Sequence, residues 1–166
     1  ETYYADCQTF EDYGIEQEGK LGRRIILPKL YWGIDPDYTQ NSEGFVQLHV
    51  HTEYSTLDGL GHIEELVLKA RRMNMNALAI TDHGNLFGIY KFHKVCKKLG
   101  IKPILGCEFY IVDDYTIKEA RERRHVILLA KNLQGYKNLL KLSTESHLEG
   151  FYYTPRIDKK ILKKYS

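Results

Sequence analysis

Phe45-Val46-Gln47-Leu48-His49-Val50-His51 reads as a strand with two unlike faces. In extended chain alternate side chains share a side. Val46, Leu48 and Val50 therefore form one face, and Phe45, Gln47, His49 and His51 the other. Working outward, Ile63, Leu66, Val67, Ala70 and Met73 recur at helical spacing and predict a helix over about 62–73. Ala77-Leu78-Ala79-Ile80 is a continuous apolar run, which suits a strand covered on both faces in a parallel sheet. Ile89, Phe92, Cys96 and Leu99 predict a second helix over about 86–99, with Gly100 just past its end. Ile104-Leu105 and then Phe109 to Val112 are strand-like. Residues 113–124 are charged and predict an exposed turn or short helix. Val126 to Ala130 reads as another buried strand. A helix over about 133–146 would turn Tyr136, Leu139, Leu140 and Ser143 inward, and an amphipathic piece follows at 158–165.

Alternating strand and helix predict right-handed crossovers and a parallel sheet. An open sheet and a barrel both fit that order. The polar face of 45–51 favours the barrel. In an open sheet a helix would bury Gln47, His49 and His51. In a barrel that face points inward, and its last residues reach the rim where ligands bind.

The chain has 166 residues, 43% hydrophobic and 28% charged, which is the composition of an ordinary globular domain. Its apolar runs fall well short of the roughly 20 residues that span a membrane, so no membrane partner is expected. Three cysteines, Cys7, Cys96 and Cys107, are too few for a disulfide framework and point to a reducing cytoplasm. Residues 1–44 hold nine acids and four basic residues, whereas 45–166 hold thirteen acids and twenty basic residues. All seven histidines (49, 51, 62, 83, 93, 125, 147) lie in the basic part. An irregular leader, 1–44, therefore precedes the body, 45–166, that carries the chemistry. Ile25-Ile26-Leu27 in the leader reads as a short strand ended by Pro28. Pro36, Asn41, Ser42 and Gly44 read as a connector.

His49 and His51 stand about two residues of strand rise apart, so both reach one metal ion. Alone, the pair fits polar residues on a sheet as well. Thr81-Asp82-His83 at the end of the second strand, Glu108 after the third, and Asp58 in a Leu-Asp-Gly turn add acids and imidazoles at successive strand ends. Mixed nitrogen and oxygen donors suit zinc or manganese. Several of them together suggest more than one ion, the usual apparatus for attacking a phosphodiester.

His49-Val50-His51-Thr52-Glu53-Tyr54-Ser55 with Leu57-Asp58-Gly59 resembles the opening motif of the PHP (polymerase and histidinol phosphatase) domain. Ala77 to Leu86 resembles its second motif and Gly100 to Glu108 its third. His125 to Asn132 with Gly135-Tyr136, then Leu148 to Tyr153 and Pro155-Arg156, continue the match in order. The chain is similar in particular to the form of this domain found in bacterial DNA polymerase III alpha subunits. The resemblance implies a distorted parallel (β/α)7 barrel, incomplete at the C-terminus of this chain, with up to three zinc or manganese ions at its rim. It implies His49, His51, Asp58, His83, Glu108 and His125 as ligands. It implies phosphoesterase activity, including 3′–5′ exonuclease proofreading, and as partners DNA, the rest of the polymerase chain and other replisome subunits. The alternative role is a scaffold that braces the polymerase core or docks a proofreading subunit. The family's remaining ligands would fall beyond Ser166, so this chain alone is expected to be inactive.

His125 begins its strand, which in a parallel sheet sets it away from the rim. It stands as a ligand on the resemblance alone. His62, His93 and His147 match no ligand position and read as structural. Cys107 should point away from Glu108 as a small buried hydrophobe. Asp35-Pro36-Asp37 has no polymerase palm around it. Arg123 and Arg124 (with Arg121), Lys159, Lys160, Lys163 and Lys164, and Arg156 in the last motif are candidate DNA phosphate contacts. For the charge runs a solvated surface is the commoner meaning.

Overall fold

The computed structural model describes residues 2–4, 26–28, 44–118 and 123–165. The connector positions Pro36, Asn41 and Ser42, the Asp35-Pro36-Asp37 stretch, Cys7 and Arg121 lie outside the described residues. The chain divides into two compact units, Glu1–Gln40 and Asn41–Ser166. In the first, β1 (Thr2–Tyr4) and β2 (Ile26–Pro28) pair antiparallel, with Tyr3 opposite Leu27. The second unit holds α1 (Ile63–Arg72), β3 (Ala77–Ile80), α2 (Ile89–Leu99), β4 (Lys102–Ile111), β5 (Arg124–Leu129), α3 (Leu133–Leu148), β6 (Arg156–Ile157) and α4 (Lys159–Lys164).

The two predicted helices around β3 form where the apolar spacing puts them. Ile63, Val67 and Ala70 of α1, and Ile89, Phe92, Cys96 and Leu99 of α2, are buried. Buried side chains of this size each contribute roughly 2 kcal/mol. α3 turns slightly differently from its expected face. Leu139, Leu142 and Ser146 are buried, whereas Leu140 is exposed. Asn132 and Asp158 cap α3 and α4 by accepting from the amides of Gly135 and Ile161.

β4 is one ten-residue strand, not the two pieces the sequence suggested. Gly106 interrupts the apolar pattern but not the strand. A Cβ there would lie 2.6 Å from Leu129 Cδ2 and 2.9 Å from the Leu128 carbonyl, so the missing side chain lets β5 approach closely.

The sheet is mixed, which corrects the expectation that its strands are all parallel. β3 pairs parallel with the first half of β4. β5 pairs antiparallel with the second half, setting Tyr110 opposite His125. β6 pairs parallel with the end of β4. The physical reason lies in the β4–β5 connection, which shows turns and no helix among its described residues. A parallel return needs a crossover, usually helical. The four-stranded sheet runs β3–β4–β5, with β6 attached to β4.

The segment 45–51 runs beside β3 but is not a regular strand. The Ala79 amide donates to the Gln47 carbonyl at 2.9 Å and the Thr81 amide to the Val50 carbonyl at 2.8 Å. Two residues of β3 therefore span three residues of the segment, which is one extra residue in the manner of a bulge. The Val50 amide donates to the Thr81 hydroxyl instead of a carbonyl. Leu48, expected on the apolar face, is exposed.

One core joins β4 to the C-terminal helices. Cys107 and Phe109 pack with Leu139, Leu142, Ile157 and Ile161, flanked by Ile111, Val126 and Leu128. The side chains of alternate β4 residues, Glu108 and Tyr110, therefore leave on the opposite side.

Candidate metal centre

Glu108 sits at the middle of the other face of β4 and is 3% exposed. A buried carboxylate needs partners, and here they are imidazoles. His49 Nε2 lies 2.7 Å and His51 Nε2 3.3 Å from Glu108 Oε2, while His83 Nδ1 lies 2.8 Å from Oε1. His83 Nε2 faces Asp58 Oδ2 at 3.0 Å. The His51 and His83 rings stack with centroids 4.0 Å apart, and His125 stands 5.9 Å from His49, ring to ring. Of the six sequence-predicted residues, His49, His51 and His83 thus surround Glu108, Asp58 faces His83, and His125 stands beside His49. Among the described residues, His49, His51 and Glu108 place one donor atom each within 4.8 Å of one another.

Each arrives by a different local device. The bulge in 45–51 delivers His49 and His51 at the end of β3. His83 follows β3 and continues its pairing, in a bridge to Glu108. Gly84 then turns away with φ +61°, and a Cβ there would meet Pro155 Cγ at 2.5 Å. Asp58 lies in a turn closed by its amide bond to the Ser55 carbonyl. Antiparallel pairing resolves the difficulty with His125. The start of β5 lies beside the end of β4, so His125 reaches the same rim.

Beneath the histidines lies a hydroxyl–carboxylate network that sequence reading did not assign. Asp82 is buried and accepts from the Thr52 amide (2.7 Å), the Thr52 hydroxyl (2.8 Å) and the Ser55 hydroxyl (2.7 Å). The Ser55 oxygen also accepts from the His83 amide, and it lies 3.1 Å from His51 Nδ1. Since the single Ser55 proton goes to Asp82, His51 Nδ1 must carry the proton of its own bond to Ser55. His51 Nε2 then presents a lone pair to the cluster. Burial, then the neighbouring His83, lower the His51 pKa, with Glu108 opposing, which favours the neutral ring. The only signal for this shell was its place within the quoted motifs, where Thr52, Ser55 and Asp82 each neighbour a ligand position.

The donor set fits a divalent cation. His51 Nε2 and Glu108 Oε2 both bring lone pairs to a 3.3 Å contact, and His49 Nε2 is within 3.0 Å of His51 Nε2. One proton on His49 cannot satisfy both neighbours. His83 Nδ1 is buried and, although close to Glu108, has no aligned hydrogen-bond partner. A cation among these atoms removes both conflicts.

The remaining candidates fall elsewhere. Arg156 is corrected as a DNA contact. It is 2% exposed, and its guanidinium donates to the carbonyls of Gly150 (3.0 Å), Ile117 (3.1 Å) and Tyr115 (2.9 Å). It clamps loops, and phosphate cannot reach it. Arg124 is exposed and donates to Asp113, while Arg123 lies over the Tyr110 ring. Lys160 and Lys164 pair with Asp114 and Glu145. His62 bonds Glu53, His147 lies 2.9 Å from the Ser143 carbonyl, and His93 is exposed on α2. Cys107 is fully buried, and burial pushes its thiol pKa up. No helix among the described residues is long and apolar enough to cross a membrane.

The family model of the PHP domain matches residues 47–166. The DNA polymerase III subunit alpha of Borreliella burgdorferi is 54% identical over 127 residues, covering 74% of this chain and 11% of that one. That of Helicobacter pylori strain 26695 is 48% identical over 129 residues, covering 76% and 11%. That of Aquifex aeolicus is 48% identical over 134 residues, covering 75% and 12%. The chain therefore spans about a tenth of the length of these curated relatives. Among solved structures, an amidohydrolase from Chromobacterium violaceum superposes with a TM-score of 0.43 at 21% identity, over 60% of this chain and 34% of that one. With the family model spanning most of the chain and the cluster lying inside the matched region, the chain belongs to the PHP domain family.

Proposed function

We propose that this chain forms the metal-binding part of a phosphoesterase site in a replicative DNA polymerase III alpha subunit, acting in the cytoplasm on the 3′ end of DNA. The observation that carries the reading is Glu108, one buried carboxylate bracketed by three imidazoles, one of which has its tautomer fixed by Ser55. Its kinship to polymerase alpha subunits supports DNA as the substrate, with the rest of the polymerase chain and other replisome subunits as partners.

His49, His51, Asp58, His83, Glu108 and His125 would hold the ions, zinc or manganese. The ions would supply the charge that polarises a phosphodiester and acidifies a water. The chain's own residues do the rest. Ser55 and Asp82 hold His51 in the tautomer that faces the site. The Glu108 carboxylate spaces the three imidazoles and offsets ionic charge. No side chain of the cluster is a hydroxyl or thiol nucleophile, which matches attack by water.

The test has two readouts, elemental analysis of the purified chain and 3′ trimming of single-stranded DNA by the full-length polymerase subunit. Zinc or manganese should copurify. Glu108→Gln should lower metal affinity about 100-fold or more and abolish trimming, because it removes the charge the cluster surrounds. A wild-type protein that takes up no metal, with trimming intact in Glu108→Gln, overturns the reading and leaves the scaffold role.

A further inference from the structure

The site face of β4 carries a second residue, Tyr110, two positions after Glu108. Its ring is nearly parallel to the His83 imidazole, at 13° with centroids 6.1 Å apart. The Arg123 guanidinium carbon stands 5.6 Å from the same ring centroid. Strand register explains why Arg123 and not Arg124 is there. His125 is the direct partner of Tyr110, and partners in an antiparallel ladder share a face. Arg123, two residues before His125, falls on that face too. Arg124 falls on the other and bonds Asp113. Among the described residues Arg123 has no carboxylate partner, in a chain where neighbouring cations do.

A guanidinium held on an aromatic face retains its donors, with less side-chain freedom to lose on binding. The Tyr110 hydroxyl belongs to the same rim. A phenol O–H is a hydrogen-bond donor. A planar fork and a hydroxyl donor beside a cation-binding carboxylate make up the complement of a tetrahedral oxyanion. The Glu108 carboxylate by itself would repel one. The subsite is therefore set to one side of it, under the positive Arg123.

We infer that Tyr110 and Arg123 form a phosphoryl-binding subsite beside the carboxylate–imidazole cluster. Arg123 takes two non-bridging oxygens and Tyr110 donates to an oxygen of the same group. The inference rests on the phosphoesterase reading for its biological meaning, but its residues can be tested without it.

The experiment is calorimetric titration of inorganic phosphate into the purified chain, with and without Mn²⁺, with metal content measured separately on each sample. Arg123→Ala should weaken phosphate binding about ten-fold or more, and Arg123→Lys should recover only part of that, because the fork is lost. Tyr110→Phe keeps the ring and the fold and should cost about three- to ten-fold. Arg124→Ala should stay within about two-fold, since it lies on the other face. Phosphate affinity unchanged in both Arg123→Ala and Tyr110→Phe, or no phosphate binding by the wild type in either condition, overturns the inference. Phosphate binding that depends on Arg123 in a chain without metal uptake supports it and removes the metal reading. Metal uptake with phosphate binding indifferent to both residues does the reverse.

Discussion

The two faces of β4 differ more than any two elements of the molecule, although they share one backbone. Cys107, Phe109 and Ile111 face α3, α4 and the apolar side of β5, in a cluster of apolar side chains. Glu108 and Tyr110, interleaved with them, face four histidines, an aspartate and an arginine. The core side is an apolar interior, closely packed and tolerant of no void. The site side brings like donors together at distances that a bound cation would relieve. A period of two is thus enough to separate what stabilises the strand from what it is for.

That division can be broken from either side. The largest expected effect is on the core face. Phe109→Ala should cost about 3–5 kcal/mol in urea unfolding, as a large buried aromatic is lost and a cavity left. The same loss from a site-face variant such as Glu108→Gln would show that the faces do not divide stability from chemistry.

A smaller effect is expected one layer below the site. Ser55→Ala should reduce metal affinity about 10- to 100-fold while far-ultraviolet circular dichroism stays unchanged, because His51 loses the acceptor that fixes its tautomer. Equal metal affinity in Ser55→Ala, measured by competition with a chelator, would show that the ring is oriented by stacking on His83 alone. The smallest effect belongs to Arg124→Ala. Its pair with Asp113 is exposed, so thermal unfolding should move by less than about 0.5 kcal/mol. A larger loss would mean that the start of β5 is held from the core side and not by its ladder with β4.

Much of the candidate site was legible because its signals are local. His49 and His51, Thr81-Asp82-His83 and Glu108 each sit within a few residues of a strand pattern, and chemical type alone marks them as donors. α1, β3 and α2 were legible for the same reason, since hydrophobic period depends only on near neighbours in sequence. His125 shows where this ends. A strand was read at about the right place, though as buried where Arg124–Leu129 is only partly so, yet strand direction is not written in an apolar run, and direction decides which end of the sheet a residue reaches. Arg156 shows the complement. Its charge announced a surface contact, while its actual partners, the carbonyls of Tyr115 and Ile117, lie some forty residues away in sequence.

By itself the sequence determined the donor chemistry and the helices α1 and α2, because residue type and spacing fix these without knowledge of distant partners. Tertiary structure alone decided that β5 runs antiparallel, that a one-residue slip beside β3 delivers His49 and His51, that Ser55 and Asp82 orient His51, and that Arg123 and not Arg124 joins Tyr110. Each of these depends on register between segments far apart in the chain. Register is set by the packing of whole faces, which no short stretch of sequence contains.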